Sequence, residues 1–176
     1  CTTAPPLNAH SYNTRPLVAY AGNLAIQYID WEVLHAEVIA NPQADFRFVG
    51  PMVSLPKDPW FLKVRKQTNV MFLGQFPLDQ VVPELRQADV LLLCYRSDRW
   101  PKQLSNSHKL IEYLSTGSVI VASATSEYQG TSPMVMPMAN TRWEHPALLA
   151  EVLNDLDRYN TPELREARIA IARSHT

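Results

Sequence analysis

Lys109 and Glu112 stand three residues apart in the stretch Ser105-Asn-Ser-His-Lys-Leu-Ile-Glu-Tyr-Leu-Ser-Thr-Gly117. At that spacing two side chains neighbour each other on a helix surface. The stretch has what a short helix needs. Ser105, Asn106 and Ser107 can cap its start, Leu110, Ile111 and Leu114 share one face, and Gly117 suits its end. A helix N-terminus presents unpaired N–H groups and a partial positive charge, a natural seat for phosphate. A lysine in the first turn works against the helix dipole, and a bound diphosphate would supply the reason for it. Glu112, one turn further on, can accept hydrogen bonds from two vicinal ribose hydroxyls. The plain alternative is a solvated surface ion pair of little energetic weight. Spacing alone leaves both open.

The elements around this stretch decide what it can serve. Residues 17–22, 46–50, 69–74, 90–95 and 119–122 are short apolar runs that read as buried strands. A sixth, weaker run at 134–138 contains Pro137, which argues for an edge. Between them lie helical patterns. One follows Asp30, a capping residue, and stops before Pro42. Others cover 60–66, a segment opened by Pro77 with Pro83 inside it, 147–156, and 162–173. Strands alternating with helices, the strands apolar throughout, predict a parallel sheet covered on both faces: a Rossmann-like, doubly wound α/β fold. Residues 1–15 read as a lead-in and 16–176 as the domain. In such sheets ligands bind beyond the carboxyl ends of the strands, at the point where strand order reverses. Gly22, Gly50 and Gly74 all fall at strand ends, where backbone can approach a ligand or simply turn tightly.

Composition narrows the classes. A chain of 176 residues that is 46% apolar and 19% charged can bury a core. A formal net charge of −1 gives no electrostatic case for nucleic acid. Cys1 and Cys94 cannot build a disulfide framework and fit a reducing compartment, with Cys94 a buried thiol. No apolar run approaches a membrane span, and no signal peptide is expected. A first residue of Cys1 reads as a fragment or a processed product. Neither G-x-G-x-x-G, nor G-x-x-x-x-G-K-[ST], nor G-x-S-x-G occurs. The histidines, His10, His35, His108, His145 and His175, show no metal-ligand spacing, and no metal is expected. Asp58, Asp79 and Asp89 read as loop or cap residues.

Taken together, Val18-Ala-Tyr-Ala-Gly-Asn23 with Asp30-Trp-Glu32, Phe46-Arg-Phe-Val-Gly50, Asn69-Val-Met-Phe-Leu-Gly74, Ala88-Asp-Val-Leu-Leu-Leu93 and the 108–117 stretch follow one another in a familiar order. That order resembles the C-terminal, nucleotide-sugar-binding domain of GT-B glycosyltransferases, of the family-4-like bacterial group that builds surface polysaccharides. The resemblance implies Lys109 on the donor diphosphate and Glu112 on the ribose. It implies Gly22 and Asn23 in the turn that approaches the phosphates or sugar, and Phe72 and Gly74 in the segment near the base. Asn106, Ser107 and His108 form the loop and first turn of the diphosphate helix. Ser107 replaces the usual proline there, and Ser118 and Val119 the usual Lys-Pro. Leu104 stands where many retaining relatives carry a first glutamate, so retention of stereochemistry does not follow. A catalytic base, where one is used, would come from an acceptor domain that this chain lacks, and no residue here is assigned that role.

The implied activity is transfer of a sugar from a nucleotide-sugar, the substrate, to a saccharide or lipid-linked saccharide acceptor, without cofactor or metal. The implied placement is cytoplasmic, with the inner face of the membrane as a second possibility. Two other readings stand beside it: a sugar-nucleotide epimerase of similar fold, and a non-catalytic module that binds a nucleotide or a protein.

Overall fold

A computed structural model describes residues 15–104 and 107–175, and only the backbone of 103, 104 and 107. Six strands form one sheet: β1 (Leu17–Ala21), β2 (Asp45–Val49), β3 (Val70–Gly74), β4 (Val90–Leu93), β5 (Val119–Ser123) and β6 (Met138–Ala139). Every pairing is parallel, in the order β3-β2-β1-β4-β5-β6. The chain winds outward from β1 to β3, crosses back through one helix, and resumes on the other side of β1 with β4. The order therefore reverses between β1 and β4, which pair Val18 with Val90 and Ala19 with Leu91. The doubly wound expectation holds.

Helices cover both faces. α1 (Trp31–Ala40), α2 (Pro59–Arg65) and α5 (Glu144–Asn154) pack together on one. α3 (Leu78–Leu85), α4 (Ser107–Thr116) and α7 (Pro162–Ser174) pack together on the other, and α6 (Leu156–Tyr159) is a single turn after α5. Central strands buried on both sides must be apolar throughout. Val90, Leu91, Leu92 and Leu93 are all buried, as are Val119, Ile120, Val121 and Ala122. Val18 and Val49 are buried as their runs predict. Leu73 is not: it is half-buried, because β3 is the sheet edge and has a neighbour on one side only. The last strand also shifts. Residues Ser132 to Met136 turn, with Val135 and Met136 N–H donating to the Ser132 carbonyl, and pairing begins only at Met138.

Two arginines fix the helices. Asp30 caps α1, accepting from Val33 N at 3.2 Å, and is held by Arg142, whose Nε and Nη2 each lie 2.8 Å from its carboxylate. Arg168 on α7 is fully buried and is paired with no carboxylate among the described residues. It donates instead to the carbonyls of Val135, Gly117, Met134 and Tyr159 and to Asn160 Oδ1, at 2.6–3.2 Å. Burial lowers its pKa to about 10, yet it stays charged because the carbonyl dipoles converge on it.

Candidate functional site

The site gathers at the reversal point. β1 ends in Tyr20 and Ala21, with Gly22 directly after it, and α4 is the next α-helix after β4 in the chain. Tyr113, in the middle of α4, reaches across to β1 and accepts from Ala21 N at 2.8 Å. That contact fixes the helix against the strand. Lys109 then extends from the first turn of α4 over the strand end. Its Nζ lies 3.0 Å from the Tyr20 hydroxyl, 4.4 Å from the Tyr20 ring centroid and 5.9 Å from that of Tyr95. A cation on an aromatic face, partly desolvated, is held by the ring quadrupole.

Burial brings the Lys109 pKa down to about 8, with Glu112 pulling the other way. A solvated surface pair does not describe a lysine in that position. Glu112 itself is exposed on the helix. The amine occupies the space a side chain at residue 22 would need: a Cβ on Gly22 would lie 2.0 Å from Nζ, and its φ of 151° already favours glycine. The glycines interlock further. Gly22 N donates to Val49 O at 2.9 Å and Gly50 N to Gly74 O at 2.8 Å, while a Cβ on Gly50 would lie 1.8 Å from Gly22 O. The result is a stepped surface of bare backbone beside one half-buried cation and one helix N-terminus. Such a surface suits an anion with adjoining polar groups.

The other expected residues fall as follows. Asn23 is exposed and its Oδ1 accepts from Ala25 N at 3.0 Å. Gly74 is exposed at the end of β3, two strands away from β1. Phe72 turns inward, stacked 5.0 Å from Phe48 and packed on Trp31 and Phe61; its ring serves the core beneath α1 and α2. His108 is exposed in the first turn of α4. Asn106 and the Ser107 side chain lie outside the described residues, although Ser107 begins the helix. Asp58 and Asp89 are cap and tie residues as expected, bonding Trp60 N at 2.9 Å and Leu17 N at 2.8 Å.

Sequence reasoning missed the tyrosines. Tyr20 lies two residues before the strand-end glycine, a signal that could have found it; Tyr113 four residues after Lys109 is another. It also missed Glu37, Cys94 and His145, which come together from three elements with no spacing pattern. A cavity of about 460 Å³ lined by Arg15, Asp45 and Asn69 opens at the opposite, N-terminal end of the strands. Its charged pair and its asparagine are already engaged: Arg15 bonds Asp45, and Asn69 Nδ2 bonds three carbonyls.

Comparison with protein-family models and with curated proteins found no match. Solved structures do match. Sucrose-phosphate synthase from Thermosynechococcus elongatus superposes with TM-score 0.64 at 19% identity over 97% of this chain and 45% of its own. Anabaena HepE in complex with UDP and glucose gives 0.67 at 17%, over 92% and 44%. The catalytic domain of Helicobacter pylori cholesterol-α-glucosyltransferase gives 0.66 at 16%, over 93% and 100%. The chain thus spans less than half the length of the first two. No helix among the described residues is long and apolar enough to cross a membrane. With its six-stranded parallel sheet and these neighbours, the chain has the Rossmann-like α/β fold found in GT-B glycosyltransferases.

Proposed function

We propose that this chain binds the nucleotide-sugar donor of a glycosyl transfer and stabilises the nucleoside diphosphate as it leaves. The observation that carries this is Lys109, its amine held by Tyr20 in the space above Gly22 where β1 and β4 part. As the glycosidic bond to the diphosphate breaks, negative charge grows on the β-phosphate oxygens. A pre-placed amine and helix N–H groups offset that charge with little reorganisation. Glu112, exposed one turn on, takes the ribose hydroxyls, and Gly22 and Asn23 line the approach to phosphate or sugar. Charge neutralisation by Lys109 leaves the transfer without need of a metal ion. A second domain would supply the acceptor, a saccharide or lipid-linked saccharide of surface-polysaccharide or glycoconjugate synthesis in the cytoplasm, together with any catalytic base.

Titration calorimetry tests the assignment. Lys109→Ala should weaken nucleoside diphosphate and inorganic diphosphate alike, by the roughly 10- to 150-fold that a lost charge-assisted bond of about 1.5–3 kcal/mol implies. Glu112→Ala should weaken the nucleotide and spare diphosphate. Undiminished affinity in both variants would sink the donor site. Residues 1–176 alone should bind nucleotide weakly and show no transfer, since half of a cleft offers half of the contacts; turnover by this stretch alone would contradict the need for a second domain.

A further inference from the structure

On the face of the sheet opposite α4, three side chains of unlike chemistry meet in the core. Glu37 comes from the middle of α1, His145 from the first turn of α5, and Cys94 from the residue after β4. All three are buried, with Glu37 and His145 at 0% and 1% exposure. Their candidate donor atoms lie within 4.8 Å of one another. His145 Nδ1 meets Glu37 Oε1, while Nε2 lies 3.2 Å from the Leu93 carbonyl. A carbonyl can only accept, so Nε2 carries a proton and Nδ1 is the atom turned to the cluster. The second Glu37 oxygen, Oε2, is buried with no hydrogen-bond partner among the described residues. An unmatched carboxylate oxygen in a dry core is costly and asks for a cation.

We propose that Glu37, Cys94 and His145 bind a divalent transition metal of the zinc class, and that the metal fastens α1 and α5 to the end of β4. Carboxylate, imidazole and thiolate together form a donor set that zinc accepts. The Nε2–H bond to Leu93 is the outer contact that commonly orients a metal-bound histidine. A metal about 2.0–2.3 Å from O, N and S needs those atoms about 3–4 Å apart, so side-chain shifts of about 1 Å close the set. Charge balances on binding. The ion brings two positive charges; the Cys94 thiol proton and the Nδ1 proton leave to solvent. One carboxylate, one thiolate and a neutral imidazole then surround the metal, leaving the core neutral. Burial holds the free thiol protonated, its pKa raised well above the ordinary value, so metal capture releases protons and weakens in acid. Because the cluster is sealed, the metal enters as the chain folds. The site is structural and independent of the donor-site reading.

The test uses tag-free protein refolded with cobalt(II) or zinc, then passed through a desalting column. One retained equivalent of metal, with a near-ultraviolet thiolate-to-cobalt band that disappears in Cys94→Ala, is the expected result. Cobalt should not enter the folded, metal-free protein on the same timescale. If Cys94→Ala fails to fold, X-ray absorption of the zinc-loaded wild type decides, with one sulfur and the rest nitrogen or oxygen in the first sphere expected. Retention below a tenth of an equivalent, a cobalt band that survives Cys94→Ala, or a sulfur-free sphere overturns the proposal and leaves a Glu37–His145 ion pair with Cys94 merely packed against it.

Discussion

Lys109 is a residue kept at the expense of the empty fold. Its folded pKa of about 8 lies below the 10.5 of a free lysine. Below pH 8 both folded and unfolded chains hold the proton, and the desolvated cation opposes folding by roughly 3 kcal/mol. Between pH 8 and 10.5 the unfolded chain binds more proton than the folded one, so this opposition fades and stability rises with pH. Lys109→Met should therefore stabilise the unliganded protein at pH 7 by about 1–3 kcal/mol in urea unfolding, with the gain shrinking by pH 10. The same variant should lose diphosphate affinity. A variant less stable than wild type at pH 7 would contradict the desolvation account. The proton also reports the ligand: at pH 8.5 nucleotide binding should take up protons, seen as a buffer-dependent calorimetric heat. Lys109 was legible because a first-turn lysine violates a local preference. Its partner Tyr20, 89 positions away, was not, because nothing in a strand's apolar pattern says which ring a distant amine will cover. Glu37 and His145 are 108 positions apart and illegible for the same reason.

The strand ends and their glycines form the next scale, and two of these glycines should answer substitution differently. Gly22→Ala puts its methyl against the tip of a flexible lysine, so the chain can yield by expelling Lys109 from its seat. The expected result is a modest loss of stability, about 1–3 kcal/mol from the backbone conformation, and a large loss of diphosphate affinity. Gly50→Ala meets the Gly22 carbonyl, which is backbone and cannot step aside. It should cost more in stability than Gly22→Ala in the same denaturant series; equal costs would mean the interlock is looser than described. These elements were the most readable part of the chain. Apolar runs closed by glycine gave β1, β2 and β3 to within a residue or two. The boundaries that failed did so where tertiary pairing overrides local pattern. β6 starts at Met138 because the Ser132 turn consumes the apolar residues before it. α5 starts three residues before the predicted 147 because Glu144 accepts from Asn140 N, closing the turn ahead of the helix.

For the whole molecule, Arg168 joins α7 to the turn after α4 and to the 134–135 segment. Arg168→Leu keeps bulk but strands four carbonyls, and should cost about 3–5 kcal/mol. Hydrogen exchange should then show α7 opening ahead of β1 and β4; uniform loss of protection would argue that α7 is inseparable from the core. The sheet order carries another consequence, for how this protein is made. β1 is central in the finished sheet, yet one of its two neighbours, β4, lies some seventy residues further along the chain. At about 5–20 residues per second, translation leaves that side of β1 without its partner for roughly 4–15 s. During that time β1, β2 and β3 can assemble as a small sheet whose open margin is β1, the strand that leads into Gly22. An unpaired apolar margin is where another nascent chain can add itself. The same reversal of strand order that opens the proposed donor site thus makes the early chain vulnerable, until the ribosome delivers Val90.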